Sequence, residues 1–265
     1  MGKKYTLITV CKESFHRDIP PKYSYSIKAL RDIKDTNGKV IVRKGDIGGT
    51  VDGEHNLSQD GECWIFENCI VEGNAKVKDN ATIHYFSRIY GNAEIKGNAS
   101  ISGSQVKDNA IVCGNAGVSS SSVYGNAKVY GNCYISSGAV VCGNAEVGEH
   151  SCIDLGAYIE STQDYLTVFP IGKSKEPDQL TFYKNENGYI NVSDGFLAMG
   201  IQEFEKMRKD KGKGYIRDYK LALLLAEYKI FGCNVFGTFD ILNPLKDIDI
   251  DVVQELNNEI LNLKE

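Results

Sequence analysis

Aliphatic residues recur at a fixed short interval through the middle of the chain, between residues 65 and 159. Successive positions lie six residues apart, except for two steps of five residues. An interval of six residues does not match the 3.6-residue period of a helix, and a constant short interval predicts a repeat architecture. The positions are Ile65, Val71, Val77, Ile83, Ile89, Ile95, Ile101, Val106, Val112, Val118, Val123, Val129, Ile135, Val141, Val147, Ile153 and Ile159.

Each interval predicts a short strand followed by a corner. The branched residue faces inward and its successor faces outward. A Gly-Asn or Asp-Asn pair then turns the chain, because these residue types tolerate the left-handed backbone region, and the Ala that follows also faces inward. Three such units would close one triangular coil. Coils would stack as parallel strands, since no unit buries its aliphatic residue alone, and the repeat is long enough for five to six coils.

This pattern resembles the hexapeptide-repeat, left-handed β-helix family. The units 95–100 (Ile-Lys-Gly-Asn-Ala-Ser) and 123–128 (Val-Tyr-Gly-Asn-Ala-Lys) match its aliphatic-x-x-x-small-x pattern. The resemblance implies a mainly β protein with a left-handed parallel β-helix over residues 57–162. That fold hosts acyltransferases, nucleotidyltransferase tails, carbonic anhydrases and non-catalytic proteins, so it does not determine a reaction. The whole chain also resembles uncharacterised bacterial and bacteriophage repeat proteins that carry a transferase label.

The two flanks of the repeat have different patterns. Residues 1–56 contain strand-like runs and an Asn37-Gly38 hairpin signal, which predict an N-terminal β cap. Residues 163–265 predict a C-terminal α+β domain, with strands over 165–171, 180–183 and 189–192, then helices from 201 and over 216–231, and a last helix after Pro244. The glycine-rich segment 45–49 and the basic segment 206–217 could each hold a phosphate. We interpret both as turns, because neither completes a nucleotide-binding motif.

Composition narrows the classes of partner. A net charge of −5 does not favour bulk nucleic-acid or anionic-membrane binding. No apolar run approaches the roughly 20 residues of a membrane span, and the N-terminus lacks the apolar region of a signal peptide. We therefore expect a cytoplasmic protein, in the bacterial host cytoplasm if a bacteriophage encodes it. The eight cysteines form no CxxC pair, so we expect free thiols and no metal site.

One edge of the predicted prism departs from the regular corner. Assigning the aliphatic positions to three faces in turn gives face A (Ile65, Ile83, Ile101, Val118, Ile135, Ile153), face B (Val71, Ile89, Val106, Val123, Val141, Ile159) and face C (Val77, Ile95, Val112, Val129, Val147). Corners after faces B and C read mostly Gly-Asn-Ala or Asp-Asn-Ala, whereas corners after face A do not. Both five-residue steps also end at the corner after face A. Such departures from a regular pattern are where function is expected.

The outward residues that follow the face A aliphatics would form a ladder at the strand spacing of about 4.8 Å. One interpretation is a ligand groove, in which His84 and Arg88 hold an anion and Tyr85 or Phe86 holds a ring. The other is a homotrimer contact, in which small serines let flat faces meet. The two are compatible. The ladder consists of Phe66, His84, Ser102, Ser119, Ser136 and Asp154, and the candidate ligand-binding residues are His84, Tyr85, Phe86, Arg88, Ser102, Ser119 and Ser136.

These observations lead to three hypotheses. The first is a non-enzymatic homotrimer that binds a small anionic or nucleotide-like ligand without a cofactor, extended by the bacteriophage resemblance to a counter-defence role that sequesters a host nucleotide signal. The second follows from the resemblance to acyltransferases, with acetyl-CoA as donor and His84 as general base, although no acidic partner next to His84 is evident to set its tautomer. The third is a scaffold that binds another protein.

Overall fold

The middle of the chain forms a parallel β-helix. A computed structural model describes residues 2–10, 24–171, 178–209 and 211–232. Short strands stack in about six coils to give the three faces expected from the six-residue interval. The mainly β architecture predicted from the repeat is therefore confirmed, while the left-handed sense of the coil stays a prediction.

The N-terminal residues form an antiparallel cap that runs directly into the prism. Its sheet order is β1, β2, β5, and β5 then pairs in parallel with the first face B strand, Thr50 opposite Ile70 and Val51 opposite Val71. Parallel pairing thus starts before residue 57, and the predicted domain boundary there stays a prediction. The strands are β1 (Tyr5–Val10), β2 (Ser24–Ala29), β3 (Ile33–Lys34), β4 (Val40–Val42) and β5 (Ile47–Val51).

Gly48 and Gly49 lie inside β5, whereas the sequence pattern placed them in a turn. A Cβ atom on Gly48 would come within 2.5 Å of the Ile65 carbonyl oxygen and 2.7 Å of the Trp64 ring. The glycines therefore let β5 approach the first coil more closely than a side chain would allow. The turn itself ends earlier, where the Asp46 amide donates to the Arg43 carbonyl at 3.0 Å.

Each face of the prism contains one parallel stack of strands, in which a strand pairs with its counterparts one coil before and one coil after. Face A consists of β6 (Trp64–Ile65), β9 (Thr82–His84), β12 (Ser100–Ser102), β15 (Gly117–Ser119), β18 (Tyr134–Ile135) and β21 (Cys152–Ile153). Face B consists of β7 (Ile70–Val71), β10 (Arg88–Ile89), β13 (Gln105–Val106), β16 (Ser122–Val123), β19 (Val140–Val141) and β22 (Tyr158–Ile159). Face C consists of β8 (Lys76–Val77), β11 (Glu94–Ile95), β14 (Ile111–Val112), β17 (Lys128–Val129) and β20 (Glu146–Val147).

The core of the prism is the column of inward aliphatic residues. All of the predicted inward positions from Ile65 to Ile159 are at most 1% exposed. The corner alanines, and Cys69 and Cys133 in equivalent corner positions, are buried to the same degree. Each coil therefore covers the aliphatic residues of the next, which is the nearest-neighbour stabilisation expected of a solenoid.

Asparagine side chains run along two corners of the prism. Every side-chain amide except that of the last asparagine in each ladder donates to the asparagine one coil further on, at 2.7–3.0 Å. The left-handed backbone position belongs to the Gly or Asp that precedes each asparagine, as at Gly91 (φ 72°) and Asp108 (φ 60°). The ladders are Asn74, Asn92, Asn109, Asn126 and Asn144 after face B, and Asn80, Asn98, Asn115 and Asn132 after face C.

The C-terminal residues form a four-stranded antiparallel sheet with two helices, in the order β23 (Tyr165–Ile171), β24 (Asp178–Lys184), β25 (Ile190–Ser193) and β26 (Ala198–Gly200), then α1 (Ile201–Arg208) and α2 (Lys213–Phe231). The sheet and helices share a second core that includes Phe182, Phe204 and Tyr219. Strand β24 also contacts the last coil, where the Cys152 amide donates to the Thr181 hydroxyl at 3.2 Å.

Strand β26 was not predicted, and the predicted helix after Pro244 lies outside the described residues. Neither helix in the described part of the chain is long and apolar enough to cross a membrane.

Candidate functional site

The face A ladder predicted from the sequence is present on the surface. Ser102 pairs in register with His84 on one side and with Ser119 on the other. Ser136 follows β18 on the next coil and is 9% exposed. His84, Ser102 and Ser119 therefore lie one strand apart on one surface, whereas the candidate Ser136 is buried.

An aromatic pair occupies the start of the ladder. The ring centroids of Phe66 and His84 lie 4.3 Å apart, and the ring planes differ by 18°. The Tyr85 ring lies 6.1 Å from the His84 ring and is tilted by 31°. On the other side of His84, the neighbouring ladder residue is Ser102, whose side chain is too small to cover the imidazole.

Tyr85 and Phe86 project from the corner beside this pair. Their side chains are 72% and 77% exposed, and both residues have positive φ, 50° and 58°. The left-handed region is uncommon for bulky residues, and such conformations tend to cluster at functional sites. The corner is held by Ser87, which donates its hydroxyl hydrogen to the His84 carbonyl at 2.5 Å.

His84 is poorly placed for general base catalysis. Burial lowers the pKa of its imidazole below the ordinary value, which keeps the ring neutral, as a general base requires, but also makes it a weaker base. Within the described residues, neither ring nitrogen has a protein hydrogen-bond partner. A catalytic imidazole usually needs a carboxylate or carbonyl to set its tautomer, so the acyltransferase hypothesis gains no support from this geometry.

Arg88 is drawn away from His84 and across face B. Its Nε and Nη2 atoms donate to Oε1 of Glu72 at 2.9 and 2.5 Å, and its guanidinium carbon lies 5.1 Å from the Tyr90 ring centroid. Both contacts lie on outward positions of face B. The structure therefore brings together His84, Tyr85 and Phe86, and it does not bring the Arg88 guanidinium to them.

Sequence reasoning missed a second set of serines at the same edge, which face inward. Ser87, Ser104 and Ser121 are at most 6% exposed. The Ser104 hydroxyl donates to the Ser102 carbonyl at 2.8 Å and accepts the Ser121 amide at 3.1 Å. These serines occupy the corner position that alanine fills elsewhere, and that position in the repeat was the signal that could have identified them. Part of the serine enrichment is thus structural.

The outward side of face A differs in charge from the other two faces. Between Trp64 and Cys152 its strands contribute aromatic, hydroxyl and small residues, with no Lys or Arg at an outward strand position. Faces B and C carry ion pairs such as Lys78 with Glu94 at 2.7 Å, and cation–π contacts such as Lys107 on Tyr124 at 4.9 Å. The outward strand positions of face A therefore carry no charged side chain, and Asp154 follows the last of its strands.

The basic segment 206–217 engages its own neighbours. Arg208 pairs with Asp194, the Lys211 ammonium lies 5.5 Å from the Tyr215 ring centroid, and Arg217 pairs with Asp218 at 2.9 Å. These contacts fit the interpretation of a structural turn before α2.

In the described residues, no group of three or more His, Cys, Asp or Glu side chains is arranged to hold a metal ion. No protein-family model matches the chain, and no curated protein shows significant similarity to it. The resemblance to hexapeptide-repeat proteins therefore depends on the repeat and the β-helix alone.

Proposed function

We propose that the protein is a non-enzymatic binding protein that stacks a planar ring, such as the base of a nucleotide-like ligand, on the uncovered side of His84. One observation carries the proposal. Phe66 covers one side of the imidazole at 4.3 Å, while the opposite neighbour in the ladder is the small Ser102. The aromatic stack is thus interrupted at a position where a ligand ring can continue it.

The surroundings of this slot suit a planar polar ring. Strands in a sheet are about 4.8 Å apart, so a ring lying over Ser102 would be close to stacking distance from His84. Stacking a base on an aromatic side chain is worth about 1–3 kcal/mol. The hydroxyls of Ser102 and Ser119 offer donors and acceptors to the ring edge, and the exposed Tyr85 borders the slot.

The expectation that the ligand is anionic has less support than the expectation that it contains a planar ring. Arg88 is held by Glu72, and the outward strand positions of face A contribute no Lys or Arg. Recognition would therefore depend on the ring and on hydroxyl contacts more than on charge. The counter-defence role remains a hypothesis that comes from the resemblance alone.

Self-association through face A is a second candidate, and it is compatible with the first. The cores of protein interfaces are depleted of charged residues, and the outward strand positions of face A carry no charged side chain. We propose that copies of the chain meet at face A as a homotrimer, as the repeat pattern predicted. In that arrangement, the edge at His84 would border a cleft between protomers.

Calorimetry with a defined set of ligands tests the ring-binding proposal. AMP, ADP-ribose, a cyclic dinucleotide and acetyl-CoA would be titrated into the wild type and into Ser102→Phe, in which the new ring fills the slot. Ser102→Ala is the matched control, because it changes the same residue and leaves the slot open. We expect binding by at least one adenine ligand, loss of at least tenfold in affinity in Ser102→Phe, and less than threefold change in Ser102→Ala.

Three outcomes would replace the proposal. Equal affinity in Ser102→Phe and wild type would place the ligand elsewhere. Turnover of acetyl-CoA that disappears in His84→Ala would establish the acyltransferase alternative. Absence of binding by every ligand, together with a specific protein partner, would favour the scaffold. Light scattering on wild type and Ser119→Lys tests the oligomer separately, since a buried charge in the centre of face A should dissociate it.

A further inference from the structure

The C-terminal domain contains a half-open cavity, separate from the prism edge. It has a volume of about 620 Å³ and lies between the β25–β26 hairpin and the two helices. This volume is within the range of about 300–1,000 Å³ typical of small-molecule sites. Its walls include the apolar side chains of Ile190, Ile201 and Leu223.

A buried carboxylate without a partner lines this cavity. Glu227 on α2 is only 3% exposed, and within the described residues its side chain has no hydrogen-bond or ion-pair partner. Burial raises its pKa to about 7. Burying a carboxyl group without a hydrogen-bond partner is costly. The fold keeps the Glu227 carboxyl group in the cavity although no protein group within the described residues satisfies it.

A second carboxylate stands in the same cavity on the facing helix. Oε1 of Glu205 is buried and unpartnered in the described residues, and burial raises the pKa of Glu205, with an opposing attraction from Lys220. Burial is the main cause of the raised pKa of Tyr219, and the charges of Glu205 and Glu227 raise it further, which places both carboxylates near one side chain. Among the described residues, the cavity lining includes a third glutamate, Glu203, and no Lys, Arg or His.

We propose that this cavity binds a small organic cation, a primary amine or guanidinium with an apolar body, whose charged group is received by Glu227 and Glu205. The apolar walls would enclose the body of the ligand. Charge-assisted hydrogen bonds between the cation and the carboxylates would satisfy the oxygens that the protein leaves unpartnered. An inorganic divalent cation fits less well, because Ca²⁺ takes six to eight oxygen ligands, and no three-residue ligand cluster is present in the described residues.

The test uses the full chain and a matched pair of probes. Tyramine is an aromatic primary amine, and 4-ethylphenol has nearly the same shape without the charge. Agmatine serves as the guanidinium probe, and Ca²⁺ alone represents the inorganic alternative. Binding would be measured by calorimetry on wild type, on Glu227→Gln, which preserves the shape of the side chain, and on Glu186→Gln. The last is the control, because Glu186 is an exposed glutamate in the same domain that does not line the cavity.

We expect tyramine or agmatine to bind the wild type at least tenfold more tightly than 4-ethylphenol. Glu227→Gln should weaken binding of the cation at least tenfold, and Glu186→Gln should change it less than twofold. The proposal is overturned if neither cation binds at millimolar concentration, if 4-ethylphenol binds as tightly as tyramine, or if Ca²⁺ alone binds and the amines do not. Unchanged cation binding in Glu227→Gln would also overturn it. If the wild type binds no cation, and Glu227→Gln keeps the wild-type circular dichroism with a raised melting temperature, Glu227 is a buried neutral acid.

Discussion

The imidazole of His84 lies against the ring of Phe66, with centroids 4.3 Å apart and planes 18° apart. The contact closes one side of the imidazole to solvent. Burial is the cause of the lowered pKa of His84, so this pair links a ring contact to a protonation equilibrium that can be measured. It also leaves the Ser102 side of the imidazole as the surface to which a ligand ring can bind.

Removing the covering ring should return His84 toward ordinary behaviour. We expect Phe66→Ala to raise the pKa of His84, because the imidazolium regains contact with water. NMR titration of the imidazole protons measures this directly. Phe86→Ala is the control, since Phe86 is 77% exposed and its loss should leave the titration in place. A pKa that is the same in Phe66→Ala and wild type would show that other atoms desolvate the ring.

The same lowered pKa predicts a pH dependence of stability. Because the folded pKa of His84 lies below its unfolded value of about 6.5, the folded state is favoured while the ring is neutral. This contribution is fully present above the unfolded pKa and is lost as the pH falls through the folded pKa. The free energy of unfolding, measured with urea, should therefore fall more between pH 7.5 and pH 5 in the wild type than in His84→Phe. Equal losses would contradict the assignment.

The corners predict an unusual preference for aspartate over alanine. Gly114 has a φ of 72°, and a Cβ atom there would come within 2.9 Å of the Gly131 backbone. Asp79 occupies the equivalent position two coils earlier and accepts the Gly97 amide through Oδ2 at 2.9 Å. We expect Gly114→Ala to lower the free energy of unfolding by at least about 1–2 kcal/mol, the cost of the left-handed conformation.

Gly114→Asp should recover about 1 kcal/mol of that loss through the hydrogen bond to the Gly131 amide. Chemical denaturation measures all variants on one scale. Gly138→Ala is a useful comparison, because Gly138 also has positive φ but no atom within 4 Å of its added Cβ, and it should cost less than Gly114→Ala. A Gly114→Asp protein less stable than Gly114→Ala would rule out the proposed hydrogen bond.

The inward serines should matter more to stability than the outward ones. Ser104 is 2% exposed, and its hydroxyl joins the Ser102 carbonyl to the Ser121 amide. Ser104→Ala leaves that buried amide without its partner, so we expect a loss of about 1–3 kcal/mol. Ser119→Ala removes an outward hydroxyl and should stay within about 0.5 kcal/mol of wild type. Unfolding curves that rank the two variants in the reverse order would contradict this division.

Cysteine labelling should distinguish one outward thiol of the prism, that of Cys113, from one inward thiol, that of Cys133. Cys133 is 1% exposed, and burial raises the pKa of its thiol to about 12. Cys113 is only partly buried. Because the thiolate is the reactive form, iodoacetamide should modify Cys113 in the folded protein and Cys133 only after unfolding. Tandem mass spectrometry measures the difference, because fragment ions are needed to separate Cys133 from Cys142 and Cys152 in the tryptic peptide 129–173. Rapid native labelling of Cys133 would show that the last coils open readily.

The sequence was sufficient for the prism because its period is imposed by nearest neighbours. Each aliphatic residue contacts its counterparts one coil away, so a single interval predicts every inward position, from Ile65 to Ile159. The handedness and domain boundaries were not tested in the same way. Strand β26 escaped prediction because Ala198–Gly200 is too short to show an alternating pattern.

The candidate site was harder to predict, because the direction of a long side chain depends on neighbours one coil away. Arg88 lies only four residues after His84 in the sequence. Its guanidinium nevertheless pairs with Glu72 on the preceding coil and lies across face B. Cys142 directly follows an inward valine, a position that faces outward in the repeat, but it is 3% exposed because Tyr124 and Tyr158 lie against it. The direction and exposure of an outward side chain can therefore be predicted only by comparing it with the outward residues at the same position in the neighbouring coils.

Because the coils stack without interruption, the number of coils also sets the length of the prism. Successive asparagines in a ladder are 17 or 18 residues apart, and each coil advances the axis by about one strand spacing, 4.8 Å. Inserting or deleting one whole coil would move the C-terminal domain relative to the N-terminal cap by that increment, without altering either end. The separation of the two ends is thus encoded in the count of repeats, and it can change only in discrete steps.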